Sequence, residues 1–508
     1  MKNIITAIDV GSTSMRMRVV DFSPNGKGKI VEELVYPVAT GRDTFADRKI
    51  SAKTLRALCG GLRQFAELSR EYRAENVRAV ATSALREAEN KDIVIDRIWH
   101  ESGVRLDVLD NIEEGRLICQ LLLPFLRQNL AKSKRPVLFM ELGGGGTVSM
   151  LLRQEKILRA NYRRLGTTRF SLLHGFADND QFGENLVRNA VNSLLAQFEE
   201  FPIGECVLLN QPLRKLIAGT NEKAAIPGGY VLTAAELRRR LDLFNDNPET
   251  AAEKLAVTTD EAATLLPTLM IVNYLCKKLK LAKCYLIGAD LLDAVQSDMY
   301  STSRGKNPVQ EFSAQSLLSA RGVGEKYNYD EKHALAVAML ATQLFDELAA
   351  YLDLTERDRL LLEAAATLHD VGSYISDEAH HKHSFYIIQW SEILGVNRAE
   401  RGLIAMIARY HRKAAPLSSH EDYMKLNLAD RLRVTKMAAL LRLADALDHA
   451  HLQNIKKVGV KIQDDLLLAT ARSRGDSTIE QQAFKDKSAL FTAVTGLRAE
   501  LRVKTGVE

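Results

Sequence analysis

The sequence predicts a mixed α/β protein made of two related α/β lobes around a cleft, an all-helical domain and a small α+β segment at the C-terminal end. In the first 300 or so residues, short apolar strands alternate with amphipathic helices, as they do in α/β domains. A glycine-rich turn follows an apolar strand twice, at residues 9–14 and 141–147. From residue 333 to about 451 the apolar spacing becomes helical, and Ala and Leu are frequent.

The predicted first lobe covers residues 1–130. Its strands have apolar residues bounded by turn residues, and its long helices have apolar residues three and four positions apart. In chain order, the predicted elements are strands at 4–10, 15–22 and 31–38, a helix at 51–73, a strand at 77–81 and a helix at 111–130.

The predicted second lobe covers residues 131–305 and repeats this opening. A strand, a glycine turn and a strand pair come first, and helices separated by short apolar strands follow. The strands are predicted at 137–140, 147–153, 156–162, 206–210 and 284–288.

The rest of the chain changes character. Residues 297–330 are polar and rich in turn residues, which predicts a linker. An all-helical domain is predicted at 306–454, and a small α+β segment at 455–508. Within that segment we expect a hairpin at 457–471 and a helix at 477–502.

The composition of the sequence excludes several classes of protein. With 508 residues, 46% of them hydrophobic, several packed domains are expected. No apolar run approaches the roughly 20 residues that span a bilayer, so we expect a cytoplasmic protein with no membrane partner. The five cysteines form no C-x-x-C pair and are expected to be reduced core residues. A net charge of +5 is too small for a dedicated nucleic-acid binder.

The two glycine turns predict a clamp for phosphate groups. Glycine lets the backbone approach an anion closely, and hydroxyl side chains add hydrogen-bond donors. The acidic residues Asp9 and Glu141 are expected to hold a divalent cation. The candidate phosphate-binding residues are Gly11, Ser12, Thr13, Ser14, Gly143, Gly144, Gly145, Gly146 and Thr147. Such glycines are also compatible with a tight connection between strands, at a cost in backbone entropy.

Five segments resemble the exopolyphosphatase and guanosine pentaphosphate phosphohydrolase family, a branch of the actin-like and sugar-kinase superfamily. They are AIDVGSTS at 7–14, ATSALREA at 81–88, IEEGRL at 112–117, GGGGT at 143–147 and RLGTTR at 164–169. The resemblance implies two actin-like (RNase H-like) lobes and a homodimer. It further implies Mg²⁺-dependent removal of terminal phosphate from inorganic polyphosphate, with guanosine pentaphosphate as another possible substrate.

The resemblance also assigns roles to residues. Glu114 matches the carboxylate that activates the attacking water, a suitable task for a general base. Arg86 matches a residue that neutralises phosphate oxygens. On residue type alone, Glu113 and Glu114 are equally explained by the preference for carboxylates at a helix start, and Arg86 by a solvated helix face.

Several positions depart from the family pattern. Glu141 replaces the usual Asp, Gly146 a Ser, Val148 a Glu and Thr13 an Asn, while a later Ser-Gly-Thr turn is reduced to residues 218–220, AGT. Two alternatives follow from these departures: metal is bound differently here, or the cleft binds phosphates without hydrolysing them.

The helical domain resembles the HD phosphohydrolase signature. Imidazole and carboxylate ligands from several helices suit one or two divalent metals, Mn²⁺ or another transition ion, whose bound water is a nucleophile. The matching residues are His333, His369, Asp370, His383, His411 and Asp445. His380, His381 and His383 are also compatible with a solvated loop, and His381 is the alternative to His383. The basic residues Arg409, Arg412 and Lys413 fit either a solvated face or a polyphosphate track.

Three functions therefore remain open. The favoured one is an exopolyphosphatase that acts in the cleft between the lobes. The second is a metal-dependent HD-domain phosphohydrolase acting on a nucleotide or related phosphoester. The third is a sensor whose degraded cleft binds polyphosphate or a guanosine alarmone without turnover.

Overall fold

The structure is a computed structural model of the 508-residue chain. It describes residues 3–154, 156–173, 176, 180–218, 225–244, 248–255, 257, 259–305 and 312–505. The chain divides into two compact units, Met1–Pro308 and Val309–Glu508. Each unit has its own hydrophobic core.

The first sheet of the first unit is five-stranded, with strand order β3-β2-β1-β4-β5. Strands β1 to β3 are antiparallel neighbours, whereas β4 and β5 run parallel to β1. Its elements are β1 Asn3–Val10, β2 Ser14–Phe22, β3 Gly28–Pro37, α1 Thr40–Asp47, α2 Ala52–Glu71, β4 Asn76–Ala81, α3 Ser83–Arg86, α4 Lys91–Ser102, β5 Leu106–Val108 and α5 Asn111–Asn129.

The second sheet has seven described strands in the order β10-β11-β12-β9-β6-β7-β8. Its elements are β6 Val137–Leu142, β7 Thr147–Arg153, β8 Lys156–Arg163, α6 Thr167–Ser171, α7 Asp180–Leu195, a 3₁₀ turn Ala196–Phe198, β9 Glu205–Leu209, α8 Gln211–Ala218, β10 Ala225–Ile226, β11 Gly229–Thr233, α9 Ala234–Asp242, α10 Pro248–Leu255, α11 Thr259–Leu279, β12 Lys283–Ile287 and α12 Leu291–Ser303.

The two sheets repeat one topology. In the second sheet β6, β7 and β8 are antiparallel, and β9 and β12 continue parallel to β6, as β1 to β5 do in the first. Each sheet therefore opens with a hairpin whose turn is one of the glycine-rich segments. The predicted repeat and the predicted mixed α/β class are confirmed.

Helix α12 joins the two halves of this unit. It follows the last parallel strand of the second sheet, yet it packs on β1 and α5 of the first half. Leu292 and Val295 of α12 share a core with Ala7 and Leu117. The start of α12 is therefore held next to the hairpin of β1 and β2. The predicted lobe boundary at 130/131 stays a prediction.

The second unit is mostly helical, with one three-stranded sheet. Strand β13 is antiparallel to β14, and β14 is parallel to β15. Its elements are α13 Ser313–Lys326, α14 Glu331–Leu352, α15 Glu356–Leu368, a 3₁₀ turn Val371–Tyr374, α16 His380–Trp390, α17 Arg398–Arg409, α18 Glu421–Met424, α19 Leu428–Ala446, β13 Ile455–Gln463, β14 Leu466–Ser473, α20 Thr478–Lys487, α21 Ala489–Thr495 and β15 Arg498–Thr505.

The sheet and the helices of this unit share a single core. Ile455 of β13 and Leu467 of β14 are buried with Leu340 of α14 and Leu440 of α19. The predicted boundaries at 305/306 and 454/455 stay predictions, but the core is continuous across the second of them.

Two predicted segments need correction. The single helix expected at 477–502 is two helices, α20 and α21. The second ends at Thr495, where Gly496 takes a left-handed φ of 76°, and the chain then forms strand β15. Most of the linker expected at 297–330 is helical, since α12 and α13 occupy all but a short part of it. Residues 306–311 lie outside the described part of the chain.

One described helix, α14, is long and apolar enough to cross a membrane by length and composition alone. The mean hydropathy of its most apolar 18-residue stretch is 1.4, and 56% of that stretch is buried. Its buried side chains belong to the core of the second unit, which accounts for its apolar composition. The five cysteines are free and buried, as the sequence predicts.

Candidate functional site

The two glycine turns have the same backbone geometry. In the first, the N–H of Gly11 donates to the carbonyl of Ser14 over 3.0 Å, and in the second the N–H of Gly143 donates to the carbonyl of Gly146 over 2.9 Å. Each turn closes a hairpin, β1 to β2 or β6 to β7. Both turns line one cavity of about 150 Å³ within the first unit.

The turns also approach each other closely. A Cβ atom on Gly144 would lie 2.8 Å from the hydroxyl oxygen of Ser12 and 2.7 Å from that of Thr168. A Cβ on Gly166 would lie only 2.1 Å from the carbonyl oxygen of Gly144. Glycine is thus required at position 144 because Ser12 of the first turn and Thr168 meet there, and at position 166 because the backbone of the second turn passes there.

Most of the predicted phosphate-binding residues face this cavity. Those that line it are Gly11, Ser12, Thr13, Ser14, Gly143, Gly144 and Gly146. Thr147 does not, because its buried hydroxyl donates to the carbonyl of Leu165 over 2.6 Å. Gly145 does not line it either: a Cβ there would meet Ser83, and its carbonyl accepts from Arg169. The structure thus places Thr147 and Gly145 outside the cavity lining, and their role in phosphate binding stays a prediction.

Four carboxylates line the cavity: Asp9, Glu114, Glu141 and Asp290. Burial raises the pKa of Glu114 even though Arg86 opposes the shift. Burial and the charge of Glu114 raise the pKa of Glu141 well above its ordinary value. Among the described residues, the Glu141 side chain has no hydrogen-bond partner, which leaves its oxygens available to a cation or a protonated ligand.

The predicted catalytic pair, Glu114 and Arg86, is in direct contact. Nη1 of Arg86 donates to Oε2 of Glu114 over 2.8 Å and to the carbonyl of Leu109 over 2.6 Å. Its buried Nη2 has no hydrogen-bond partner. Arg86 therefore positions Glu114, and both N–H groups of its Nη2 are left without a hydrogen-bond partner.

Asp9 has a cationic neighbour that sequence reasoning missed. Nη2 of Arg16 lies 2.6 Å from Oδ2 of Asp9, and Nη1 of the same arginine lies 2.9 Å from Asp290. Strand β2 places Arg16 directly opposite Asp9 on β1. The register of the predicted β1–β2 hairpin was therefore the sequence signal that could have identified Arg16. Among the described residues, the cavity holds no group of three potential metal ligands within 4.8 Å of one another.

Other cavity residues were missed as well. Tyr162 of β8 and Thr168 of α6 line the cavity, and each has a buried hydroxyl without a hydrogen-bond partner. The guanidinium of Arg86 lies 5.6 Å from the Tyr162 ring centroid. Thr168 lies within the RLGTTR segment, and that motif could have identified it as a site residue. For Tyr162 the sequence offered only its position on β8, the second strand after the second glycine turn. Of the predicted 218–220 turn, residues 219 and 220 lie outside the described residues.

In the second unit, most of the predicted HD-type residues come together. Two groups of potential ligands form, His333 with His369 and Asp370, and Asp370 with His380 and His411. Asp445 is close to the first group, with Oδ1 lying 3.7 Å from Nε2 of His333. The helices α14, α15, α16, α17 and α19 carry or border these residues.

The structure does not bring His383 into either group, whereas His380 at the start of α16 lies 3.0 Å from Oδ1 of Asp370. The three histidines lie on one short helix, so the choice depends on which face of α16 meets Asp370, and sequence spacing did not determine that face. His381, the other alternative, is likewise outside both groups.

The histidines of the cluster differ in charge state. Burial lowers the pKa of His411 to about 3 and also lowers that of His369, so both imidazoles are neutral near pH 7. Burial opposes protonation of His333 as well, but its hydrogen bond to Asp448 and the nearby carboxylates raise the pKa of His333. Burial opposes ionisation of Asp445, but Lys487 and the nearby histidines lower its pKa to about 2. Neutral imidazoles and ionised carboxylates are the forms that bind divalent ions.

Fold and site together define an α/β protein in which matched glycine turns from two sheets meet at one cavity. Family comparisons agree with this class. The Ppx/GppA phosphatase family matches residues 38–287, and domain III of the Ppx/GppA phosphatases matches residues 317–475. The chain belongs to the Ppx/GppA phosphatase family.

Individual relatives are distant but cover most of the chain. The guanosine-5′-triphosphate,3′-diphosphate pyrophosphatase of Photobacterium profundum is 24% identical over 86% of this chain and 86% of its own. That of Vibrio cholerae serotype O1 (El Tor Inaba) is 25% identical over 92% of this chain and 91% of its own. An exopolyphosphatase from Cytophaga hutchinsonii, of known crystal structure, shares the fold with a TM-score of 0.50 and 19% identity, over 60% of this chain and 99% of its own.

Family membership confirms two predictions, the resemblance itself and the enzyme class. Members of the family are phosphatases that hydrolyse phosphoanhydride bonds.

Proposed function

We propose that the first unit is an exopolyphosphatase of actin-like fold that removes the terminal phosphate of inorganic polyphosphate or of guanosine pentaphosphate. The observation that carries this proposal is the pair of matched turns lining one cavity together with Glu114. Backbone N–H groups and hydroxyls from two sheets suit a chain of phosphates, because each can bind a separate phosphoryl oxygen. The names of the relatives support guanosine pentaphosphate as a substrate.

Glu114 is the proposed general base. A water molecule between its carboxylate and the terminal phosphorus loses a proton to Glu114 as its oxygen bonds to that phosphorus. The bond from the terminal phosphorus to the bridging oxygen breaks, and the shortened chain leaves with the electron pair. Arg86 orients Glu114 through Nη1, and its Nη2 is placed to bind a phosphate oxygen.

The Mg²⁺ implied by the family fits this cavity with few protein ligands. Glu141 offers a carboxylate free of hydrogen bonds, whereas Asp9 already pairs with Arg16 at 2.6 Å and Val148 offers none. Mg²⁺ commonly takes one or two carboxylates and fills its remaining positions with water and substrate phosphate. Glu141 and Asp9 would hold it, and the bound ion would neutralise charge on the phosphate oxygens.

The test is phosphate release by a Glu114→Gln variant. We expect a loss of about 10²–10⁴-fold in turnover, since general-base catalysis contributes that much. Glu113→Gln is the matched control, because Glu113 pairs with Arg116 instead of lining the cavity, and it should retain activity. Full activity of Glu114→Gln would refute the assignment. Tight binding by the wild-type chain without turnover would favour the sensor alternative.

A second candidate function is favoured by the cluster in the second unit. We propose that this HD-type domain hydrolyses a phosphoester with the help of Mn²⁺ or another divalent ion. Two cations flank the cluster: Nζ of Lys487 lies 2.6 Å from Asp445, and Nη1 of Arg412 lies 3.2 Å from both ring nitrogens of His380. Cations beside a metal cluster suit a phosphate-bearing substrate.

We also propose a cytoplasmic homodimer: the family resemblance supports the dimer, and the sequence composition supports the location. Gel filtration coupled to light scattering measures the oligomeric state directly.

A further inference from the structure

We propose that the hydroxyl groups of Tyr162 and Thr168 bind phosphate oxygens of the substrate and so complete the second glycine turn. This inference rests on the proposed function of the first unit and names two residues that contact the phosphate chain. It stands on two buried hydroxyls at the cavity that have no hydrogen-bond partner among the described residues. Both lie outside the turn in sequence, one on β8 and the other on α6.

The two glycine turns differ in the side-chain donors that they carry. The first contributes Ser12, Thr13 and Ser14 to the lining of the cavity. The second consists of four glycines followed by Thr147, whose hydroxyl donates to the carbonyl of Leu165 over 2.6 Å. The second turn therefore offers backbone N–H groups to a phosphate but no side-chain donor of its own.

Tyr162 supplies a hydroxyl at one end of the second turn. Its oxygen lies 2.3 Å from the point that a Cβ atom on Gly146 would occupy. The ring thus places a hydroxyl at the position where the family pattern has a serine side chain. Burial raises the pKa of Tyr162, although the charge of Arg86 opposes the shift. The hydroxyl therefore keeps its proton and is a hydrogen-bond donor at neutral pH.

Thr168 supplies a hydroxyl at the other end of the turn. The hydroxyl oxygens of Thr168 and Ser12 lie 2.7 and 2.8 Å from the point that a Cβ atom on Gly144 would occupy. The backbone holds Thr168 there, because its N–H donates to the carbonyl of Gly144 over 3.0 Å. The two hydroxyls meet at this point, one from each half of the unit, and a phosphoryl group has oxygens to accept from both.

A purely structural role does not explain these hydroxyls. Most buried hydroxyls in folded proteins have a hydrogen-bond partner, because an unpaired one costs free energy. The guanidinium of Arg86 lies 5.6 Å from the Tyr162 ring centroid, and its buried Nη2 is likewise unpartnered within the described part of the chain. Three unpaired donors beside Glu114 and the second turn suit an anionic chain with several acceptor oxygens on each phosphorus.

Removal of each hydroxyl tests the inference by calorimetric titration of the full chain with tripolyphosphate. The titrations use the Glu114→Gln background, so that the ligand is not hydrolysed. Tyr162→Phe keeps the ring, and Thr168→Val keeps the shape of the side chain. Each should raise the Kd about tenfold or more, the effect of one lost hydrogen bond to a charged group.

Two hydroxyls outside the cavity provide the controls. Tyr72→Phe removes a hydroxyl that donates to Glu32 over 3.1 Å. Thr6→Val removes a buried hydroxyl of β1 that, like those of Tyr162 and Thr168, has no partner among the residues that the structure describes. Neither Tyr72 nor Thr6 lines the cavity, so neither change should alter the Kd.

An exchange between positions 146 and 162 separates hydrogen bonding from packing. Tyr162→Ala alone should weaken binding, and Gly146→Ser added to it should recover affinity, because a serine hydroxyl then lies in the volume that the ring has left. Thermal melts show whether each variant is folded, and Tyr162→Phe decides for Tyr162 if Tyr162→Ala does not fold.

The outcomes distinguish this inference from the proposed function. An unchanged Kd in Tyr162→Phe or in Thr168→Val, or an exchange that recovers no affinity, would overturn the inference, while binding by the Glu114→Gln chain leaves the proposed function standing. A Glu114→Gln chain that binds no tripolyphosphate would overturn both.

Discussion

Gly146 and Tyr162 occupy one space in the candidate cleft. A Cβ atom on Gly146 would lie 2.3 Å from the Tyr162 hydroxyl oxygen and 2.5 Å from the ring carbon that bears it. The ring thus fills the volume that a side chain at position 146 would need, and it also lies near Arg86. Glycine at position 146 therefore leaves the volume that the Tyr162 ring occupies.

Gly146→Ala should displace the Tyr162 ring. We expect a loss of about 1–3 kcal/mol in the free energy of unfolding, the usual cost of overpacking, together with lower phosphate release. The double variant Gly146→Ala with Tyr162→Leu should recover part of the lost stability because the clashing ring is gone. Chemical denaturation of the single and double variants measures this coupling.

Gly60→Ala in α2 provides the control, since nothing lies within 4 Å of a Cβ there. It should raise the free energy of unfolding by about 0.5–1 kcal/mol, the helix preference for Ala over Gly. A purely additive result for the Gly146 and Tyr162 substitutions would contradict the shared-space interpretation.

At this scale the sequence predicted the residues that carry a motif. Seven of the nine predicted phosphate-binding residues, together with Glu114, line the cavity. Arg16 and Tyr162 were missed because each contributes to the site through contacts with residues distant from it along the chain. His380 was missed because three histidines lie on one short helix. Sequence spacing does not show which face of that helix meets Asp370, and so it does not show which histidine lies nearest.

At the scale of elements, Asp290 fixes helix α12 to the first sheet. Its buried carboxylate caps the helix and accepts hydrogen bonds from Arg16, Arg18 and Arg214. Burial opposes its ionisation, but the three arginines lower the pKa of Asp290 below its ordinary value. The start of α12 and the hairpin of β1 and β2 are thus joined by one buried ionic group.

Asp290→Asn should reduce the free energy of unfolding by about 3–5 kcal/mol at neutral pH, because two buried arginines, Arg16 and Arg18, and the partly buried Arg214 lose their shared anion. The lowered pKa also predicts the pH dependence. The contribution of Asp290 is present above the unfolded-state pKa of about 3.9 and is lost as pH falls through its lower folded-state pKa. Denaturation curves at several pH values measure both effects.

Asp96→Asn is the control for this series, since Asp96 is 65% exposed and, among the described residues, its ion pair is with exposed His100; it should change stability by less than about 0.5 kcal/mol. An Asp290→Asn chain as stable as the wild type would show that the arginines find other partners.

Helices and strands whose apolar residues recur at a regular spacing were predicted well. The hairpins and the parallel strands of both sheets appear close to their expected positions. Strand β15 was missed, although Ala499, Leu501 and Val503 alternate along it and pack on the core. Helix α13 was taken for a linker because its serines suggest loops; Ser319 is buried, and its hydroxyl accepts from the N–H of Leu394.

At the scale of the molecule, the chain combines two units with separate candidate chemistries. The first has matched phosphate turns from two sheets, and the second has a cluster of histidines and aspartates from five helices. Repetition of a motif made the first predictable from sequence. In the second, the clustering of the candidate ligands was predicted apart from one histidine, whereas the contact of Lys487 with Asp445 depends on tertiary packing.

The most direct measurement of the central claim is the calorimetric affinity of the Glu114→Gln chain for tripolyphosphate, with one further change in either turn. Ser12→Ala removes a donor from the first turn, and Gly144→Ala adds a Cβ that would lie 2.7 Å from the Thr168 hydroxyl oxygen in the second. If both turns close on the same phosphates, each change should raise the Kd about tenfold or more, while Gly60→Ala should leave it unaltered. A Kd that responds to changes in only one turn, or in neither, would contradict the account.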